Sequence, residues 1–352
     1  MMASAVAIPF PDSMAHLLAG IECIETLIRL QIGRCRTAAK DQDPYRGLYI
    51  SDAEIDSLLD QPFGASPYVV FTAASEAGQL IEAMRSQCAA RQAEAEHNGI
   101  RLRLAELARK FGLNRWELDC LLICALPELD LRYERVYAYL QDDVTRKHAT
   151  VDFVLGLLCD SFPQRLAARR HFGAYAPLFF WKLLERFEDS QGGRAPGPGH
   201  LLRPDERIIR WLLEGDEPDP QVASCSKLVV PASGCELSGG EAWERLSALV
   251  RPGADWPRIA YLYGPPGNAG HQIALALCRR HERPLLTIRL AEATRLDVAE
   301  FNALLRRVVR EAILHDAIPC CEDFDVFLTD EKRPWLEAFA AELQLLKAPI
   351  FL

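Results

Sequence analysis

The chain has 352 residues, 49% hydrophobic and 25% charged, with a net charge of −9. Length and composition fit a globular protein of two or three domains, and the acidic balance argues against a protein held mainly by attraction to a phosphate backbone. The N-terminus has no basic leader and carries Asp12 early, a poor secretory signal, and no apolar run approaches the roughly 20 residues that cross a bilayer, so no membrane span is expected.

Residues 13–39 place Leu17, Ile21, Ile24 and Ile28 at helical spacing, with Leu18, Leu27 and Leu30 widening the stripe, so a packing helix is expected. Ser51 or Asp52 caps a short helix predicted within 43–64, and a further helix is predicted over 73–97. In 101–130, Leu104, Leu107 and Phe111 form one helical face. Gly112 then ends that helix, Asn114 caps the next, and Trp116, Leu118, Leu121 and Leu122 open it. Helix, glycine turn, helix is the helix-turn-helix order. Helices over 149–160 and 162–171 follow, and two apolar arms over 177–214 flank the Gly- and Pro-rich tip SQGGRAPGPG, which reads as a wing. A winged-helix domain is therefore expected over 100–214, behind a helical region 1–99. Its 101–150 stretch has nine Lys or Arg against eight Asp or Glu, and its second helix, RWELDCLLICALPELD, is acidic and apolar. Protein docking is the expectation there, and nucleic acid is not an expected partner.

Residues 215–240 read as a linker with one short strand, KLVV, and from 241 helices and strands alternate as in a parallel α/β sheet. The stretch YLYGPPGNAGHQIALALC has the strand, Gly-rich loop and helix of a phosphate-binding loop. Against the pattern G-x-x-x-x-G-K-S/T, counted from Gly264, the second glycine falls on Ala269, the lysine on Gly270 and the hydroxyl residue on His271. Gly264, Pro265, Pro266, Gly267, Asn268, Ala269, Gly270 and His271 are the candidate phosphate-binding residues. After a later strand, CEDFD supplies Glu322 and Asp323. Eleven scattered cysteines, including Cys120 with Cys124 and Cys320 with Cys321, lack the further ligands of a zinc site, so reduced thiols and a cytoplasmic protein are expected.

YLYGPPGNAG and CCEDFDVFL resemble the Walker A and Walker B regions of AAA+ ATPases. CALPELDLRYERVYAYLQDDVTRK resembles bacterial members that place a winged-helix domain before AAA+ modules and are often encoded beside phage-tail-like contractile injection systems. The likeness spans roughly 43–352. It implies a mixed fold, mainly α with a winged helix at first and then an α/β P-loop module over 241–352, incomplete at its C-terminus. It also implies a first, degenerate AAA+ module with an intact second one further on, and self-assembly into a ring. Glu322 then stands at the magnesium-linked position and Asp323 at the water-activating one, the two carboxylates in swapped order. Losing one preorganised charge donor costs about 10²–10³ in rate. With the lysine, the hydroxyl and the Walker B order all altered, ATP and Mg are expected to bind weakly or not at all, with no hydrolysis by this segment. The favoured expectation is a docking and oligomerisation scaffold of a remodelling ATPase. The alternatives are a winged-helix DNA-binding regulator, and an unconventional ATPase taking its missing cation from Arg279 or a neighbouring subunit.

Overall fold

The computed structural model describes residues 8–38, 60, 68, 75–187, 197–230, 241–250, 259–262, 270–346 and 348–352. The helix predicted within 43–64 and the loop Gly264–Ala269 lie outside the described residues. The chain folds as two compact units, Met1–Asp216 and Glu217–Leu352. Among the described residues no helix is long and apolar enough to cross a membrane.

In the first unit, α1 (Ser13–Ala38) buries Leu17, Ile24, Leu27 and Ile28, the stripe its spacing predicts, while Leu18 stays exposed. It packs against α2 (Glu76–His97), α3 (Arg103–Phe111) and α4 (Arg115–Leu129). Phe10, Cys88, Ala95, Leu102 and Ala105 form one apolar cluster, so the boundary expected near residue 100 falls inside a single body. Between α3 and α4, Gly112 sits at φ 65°, a left-handed conformation glycine reaches without a Cβ penalty. Asn114 then caps α4 reciprocally with Glu117, each side chain accepting from the other's backbone N–H at 3.0 Å.

Helix α5 (Arg132–Leu140) returns to α4, where the buried Tyr137 hydroxyl donates to the Ile123 carbonyl at 2.7 Å. There follow β1 (Ala149–Thr150), α6 (Val151–Leu158), α7 (Phe162–Ala168), a 3-10 turn (Arg169–Phe172), β2 (Leu184–Phe187), β3 (Leu201–Pro204) and α8 (Glu206–Leu212). The three strands pair antiparallel in the order β1-β3-β2, with Phe187 opposite Leu201 and Leu184 opposite Pro204. The arms expected to carry a wing are thus a β hairpin. Part of its tip, 188–196, lies outside the described residues.

The second unit is a five-stranded mixed sheet in the order β4-β6-β7-β8-β5. Its strands are β4 (Ser226–Val229), β5 (Ile259–Ala260), β6 (Leu285–Arg289), β7 (Ile318–Glu322) and β8 (Ile350–Phe351). The last four run parallel, as the alternating pattern predicts, but KLVV joins as an antiparallel edge, so the sheet is mixed rather than purely parallel. Helices α9 (Glu241–Val250), α10 (Gly270–Arg280), α11 (Val298–His315) and α12 (Arg333–Leu343) complete it. Val250, Ala274, Leu277, Cys278, Leu285, Ile318 and Phe351 form its core. Burial pushes the Cys278 and Cys320 thiols up to about 12 and keeps them as inert thiols.

His16 on α1 is buried beside the Phe10 ring, and burial lowers its pKa from 6.5 to about 4, with the Arg115 charge adding to the shift and Glu96 opposing it. The unfolded chain therefore takes up a proton near pH 6.5 that the folded unit refuses until about pH 4. Stability is complete above pH 6.5 and falls by about 3 kcal/mol as pH drops through that window. Denaturant unfolding of wild type and His16→Gln between pH 7 and pH 4 checks this, and the substitution is expected to flatten the decline.

Candidate functional site

Two parts of the chain carry the candidate chemistry, one on each unit. In the second unit the carboxyl ends of the four parallel strands share one end of the sheet, where open α/β sheets hold their ligands. Ala260 and Phe351 are register partners, and Cys320 pairs Phe351, so β8 lies between the strand leading into the Gly-rich loop and the strand carrying Glu322. The Tyr261 hydroxyl reaches Asp325 at 3.3 Å, tying the ends of β5 and β7 together across β8. The Asp325 charge pushes the tyrosine pKa up from its ordinary value.

Gly270 opens α10 and His271 follows it. His271 Nδ1 lies 3.0 Å from Glu322 Oε1, both side chains being about one-third exposed. The pair is close without the alignment of a hydrogen bond. Two residues singled out from sequence, 51 positions apart, therefore meet at the head of the sheet. Asp323 is exposed and left-handed at φ 61°, a conformation aspartate tolerates better than most residues. Arg279, expected as a substitute cation, lies in the last turn of α10. It stands about 13 Å along the axis from Gly270, at the wrong end for the crevice.

The lysine position is glycine, and the carboxylate at the metal position faces an imidazole. Among the described residues no three His, Cys, Asp or Glu side chains are grouped to hold a metal ion.

In the first unit the expected second helix of the helix-turn-helix proves to be the centre of the fold. Helix α4 buries Glu117 and every residue from Asp119 to Pro127, so it has no face to offer a groove. A second helix pair, α6 and α7, joined through 159–161, stands directly before the hairpin. From Ser161 to Phe172 the chain carries Arg165, Arg169, Arg170 and His171 and no acid. Arg169 and Arg170 are exposed. The stretch 101–150 does not include this basic run. The missed signal was the run RLAARRH just ahead of the first wing arm.

A family model described as "Winged helix domain, variant" matches residues 2–226. No curated protein matches the chain. No solved structure matches it either.

Glu117 couples the basic turn to the buried helix. Its Oε2 accepts from the Asn114 N–H, while its Oε1 lies 3.0 Å from His171 Nδ1. The His171 ring also stacks on Trp116 at 4.7 Å. Glu117→Ala removes the side-chain half of the capping box and strands the imidazole, and is expected to cost about 2 kcal/mol in urea unfolding. Glu117→Gln, which keeps an acceptor for the Asn114 N–H, is expected to cost less.

Proposed function

This chain belongs to the winged helix domain variant family, and from that premise we propose that it is the docking and assembly part of an ATP-driven remodelling protein, with a nucleotide-fold module that has lost its nucleotide chemistry. The observation that carries the reading is the His271–Glu322 contact of 3.0 Å at the head of the parallel strands. A nucleotide site needs an unoccupied cation for the phosphates and an unoccupied carboxylate for the metal. Here the two positions face one another, and the imidazole stands beside the carboxylate where a metal ion would have to sit. The order of the four parallel strands, with β8 between β5 and β7, supports the same module, because it places the two motifs on either side of one crevice.

On this reading the module keeps a P-loop fold for its shape. The apolar strands and α10 hold a surface on which neighbouring subunits or a second, active module pack. The winged helix presents its hairpin and α7 to protein partners. Hydrolysis belongs to an intact module of the assembly, and the contractile injection systems implied by the sequence likeness are the proposed setting.

Calorimetric titration of the 352-residue chain with ATP and magnesium tests this, repeated with Gly270→Lys/His271→Thr. The wild type is expected to give no binding heat, and the double substitution, which restores the lysine and frees Glu322, to bind. Micromolar binding by the wild type would sink the reading.

A further inference from the structure

The first unit contains a small cavity of about 190 Å³ between the 3-10 turn Arg169–Phe172, β2 and the turn at 197–200. It has room for about six waters, well below the size of a typical organic-ligand pocket. Its polar lining is cationic or donor in character. Arg169, Arg186 and His200 come from three separate segments, and Val151 and Phe172 supply apolar wall. Among the described residues no carboxylate lines it. Among the described residues, Asp152 pairs with Arg165 at 2.7 Å and Glu185 with Arg203 at 3.5 Å.

Two of the three groups are held before any ligand arrives. The Arg186 guanidinium donates to the Phe172 carbonyl and lies 4.7 Å from the Phe179 ring centre. His200 Nδ1 is 3.0 Å from the Gly197 carbonyl oxygen, which turns that nitrogen inward to the loop and leaves Nε2 for another partner. The His200 carbonyl in turn accepts from the Val151 N–H at 3.1 Å, so this loop is fixed to the start of α6. Gathering cationic groups around one void is costly unless an anion compensates them, and groups already immobilised lose little freedom when it binds.

We propose that this cavity binds a phosphate group, held by the Arg169 and Arg186 guanidiniums, with His200 as a third donor through Nε2 when its ring carries both protons. Guanidinium geometry matches phosphate oxygens two at a time, and the partly apolar wall strengthens each charge-assisted bond. The phosphate belongs to a small soluble phosphate compound or to a nucleic-acid backbone, and the two are separable by experiment. The site is independent of the crevice in the second unit.

Isothermal titration of the full chain with pyrophosphate, at low salt, reads the site directly. The wild type is expected to bind. Arg169→Gln and His200→Gln are each expected to weaken binding, the arginine change at least about tenfold, with Arg169→Lys recovering part of it. Arg109→Gln, an exposed arginine of α3 that does not line the cavity, controls for the loss of one charge and should leave binding unchanged. Arg169 is exposed, so its variants are expected to melt with the wild type. If a duplex of about 20 base pairs displaces pyrophosphate in an Arg169-dependent way, the source is a nucleic-acid backbone. If the duplex leaves pyrophosphate bound, the ligand is a small phosphate compound. No pyrophosphate binding, or binding indifferent to both Arg169→Gln and His200→Gln, overturns the proposal and leaves the reading of the second unit as it was.

Discussion

A helix with no solvent face must still satisfy the charges it carries, and the first unit is organised around that requirement. Helix α4 takes Glu117 and Asp119 into the interior, each about 2% exposed. An unpaired carboxylate there would cost several kcal/mol, so each one fixes a neighbour. Asp119 holds Arg85 of α2 and Arg115 of its own first turn, at 2.5 and 3.0 Å. Burial pushes its carboxyl up from the ordinary value and the two guanidiniums offset part of the rise. Glu117 holds the Asn114 N–H on one side and His171 on the other. The acids thereby set where α2 lies against α4 and where the basic turn before the hairpin sits. Apolar packing supplies the stability, and the buried charges determine the arrangement.

The second unit repeats the device. Asp219 is buried ahead of β4 and accepts from Arg307 at 3.1 Å and from the fully buried Arg310 at 2.7 Å. One turn of α11 is thus pinned to the segment that leads into the antiparallel edge strand. Arg306, from the same turn of α11, grips Glu342 of α12 through two donors. A helix buried along one face and paired with acids through adjacent positions cannot slide by a turn without stranding an arginine. That fixes β6 and β7, which flank α11 in the chain, and with them the strand end that carries Glu322.

Much of this order is legible in the residues. The stripe on α1, the glycine at 112, the Asn114 cap, and the strands PLLTIRL and IPCCE all follow from local spacing and turn chemistry, and all form. The register of KLVV in the sheet was not legible, because four residues state a strand and nothing in them states its direction or partner. The role of α4 was not legible either. Its acids and apolar residues read as a poor DNA-facing helix, when the physical reason for them is that it faces nothing but protein. Sequence spacing places a helix; only the surroundings decide which of its faces is buried. For the site, the Gly-rich loop and CEDFD stand out by motif, whereas the cavity between Arg169, Arg186 and His200 draws on residues up to 31 apart with no motif among them.

The two candidate sites differ in one respect that decides what each can do. At the head of the second sheet an imidazole and a carboxylate lie 3.0 Å apart, so an anion approaching there meets a carboxylate as well as the missing lysine. In the winged-helix cavity no carboxylate among the described residues lines the wall, and Arg186 and His200 are anchored by carbonyls, which compensate little charge. The same fold family features therefore lead to opposite expectations. The sheet end whose sequence looks made for phosphate brings His271 against Glu322, while a corner of the other unit gathers two guanidinium groups with no acid lining it among the described residues. Charge balance at contact distance, rather than motif, determines which of the two has free energy left to give a ligand.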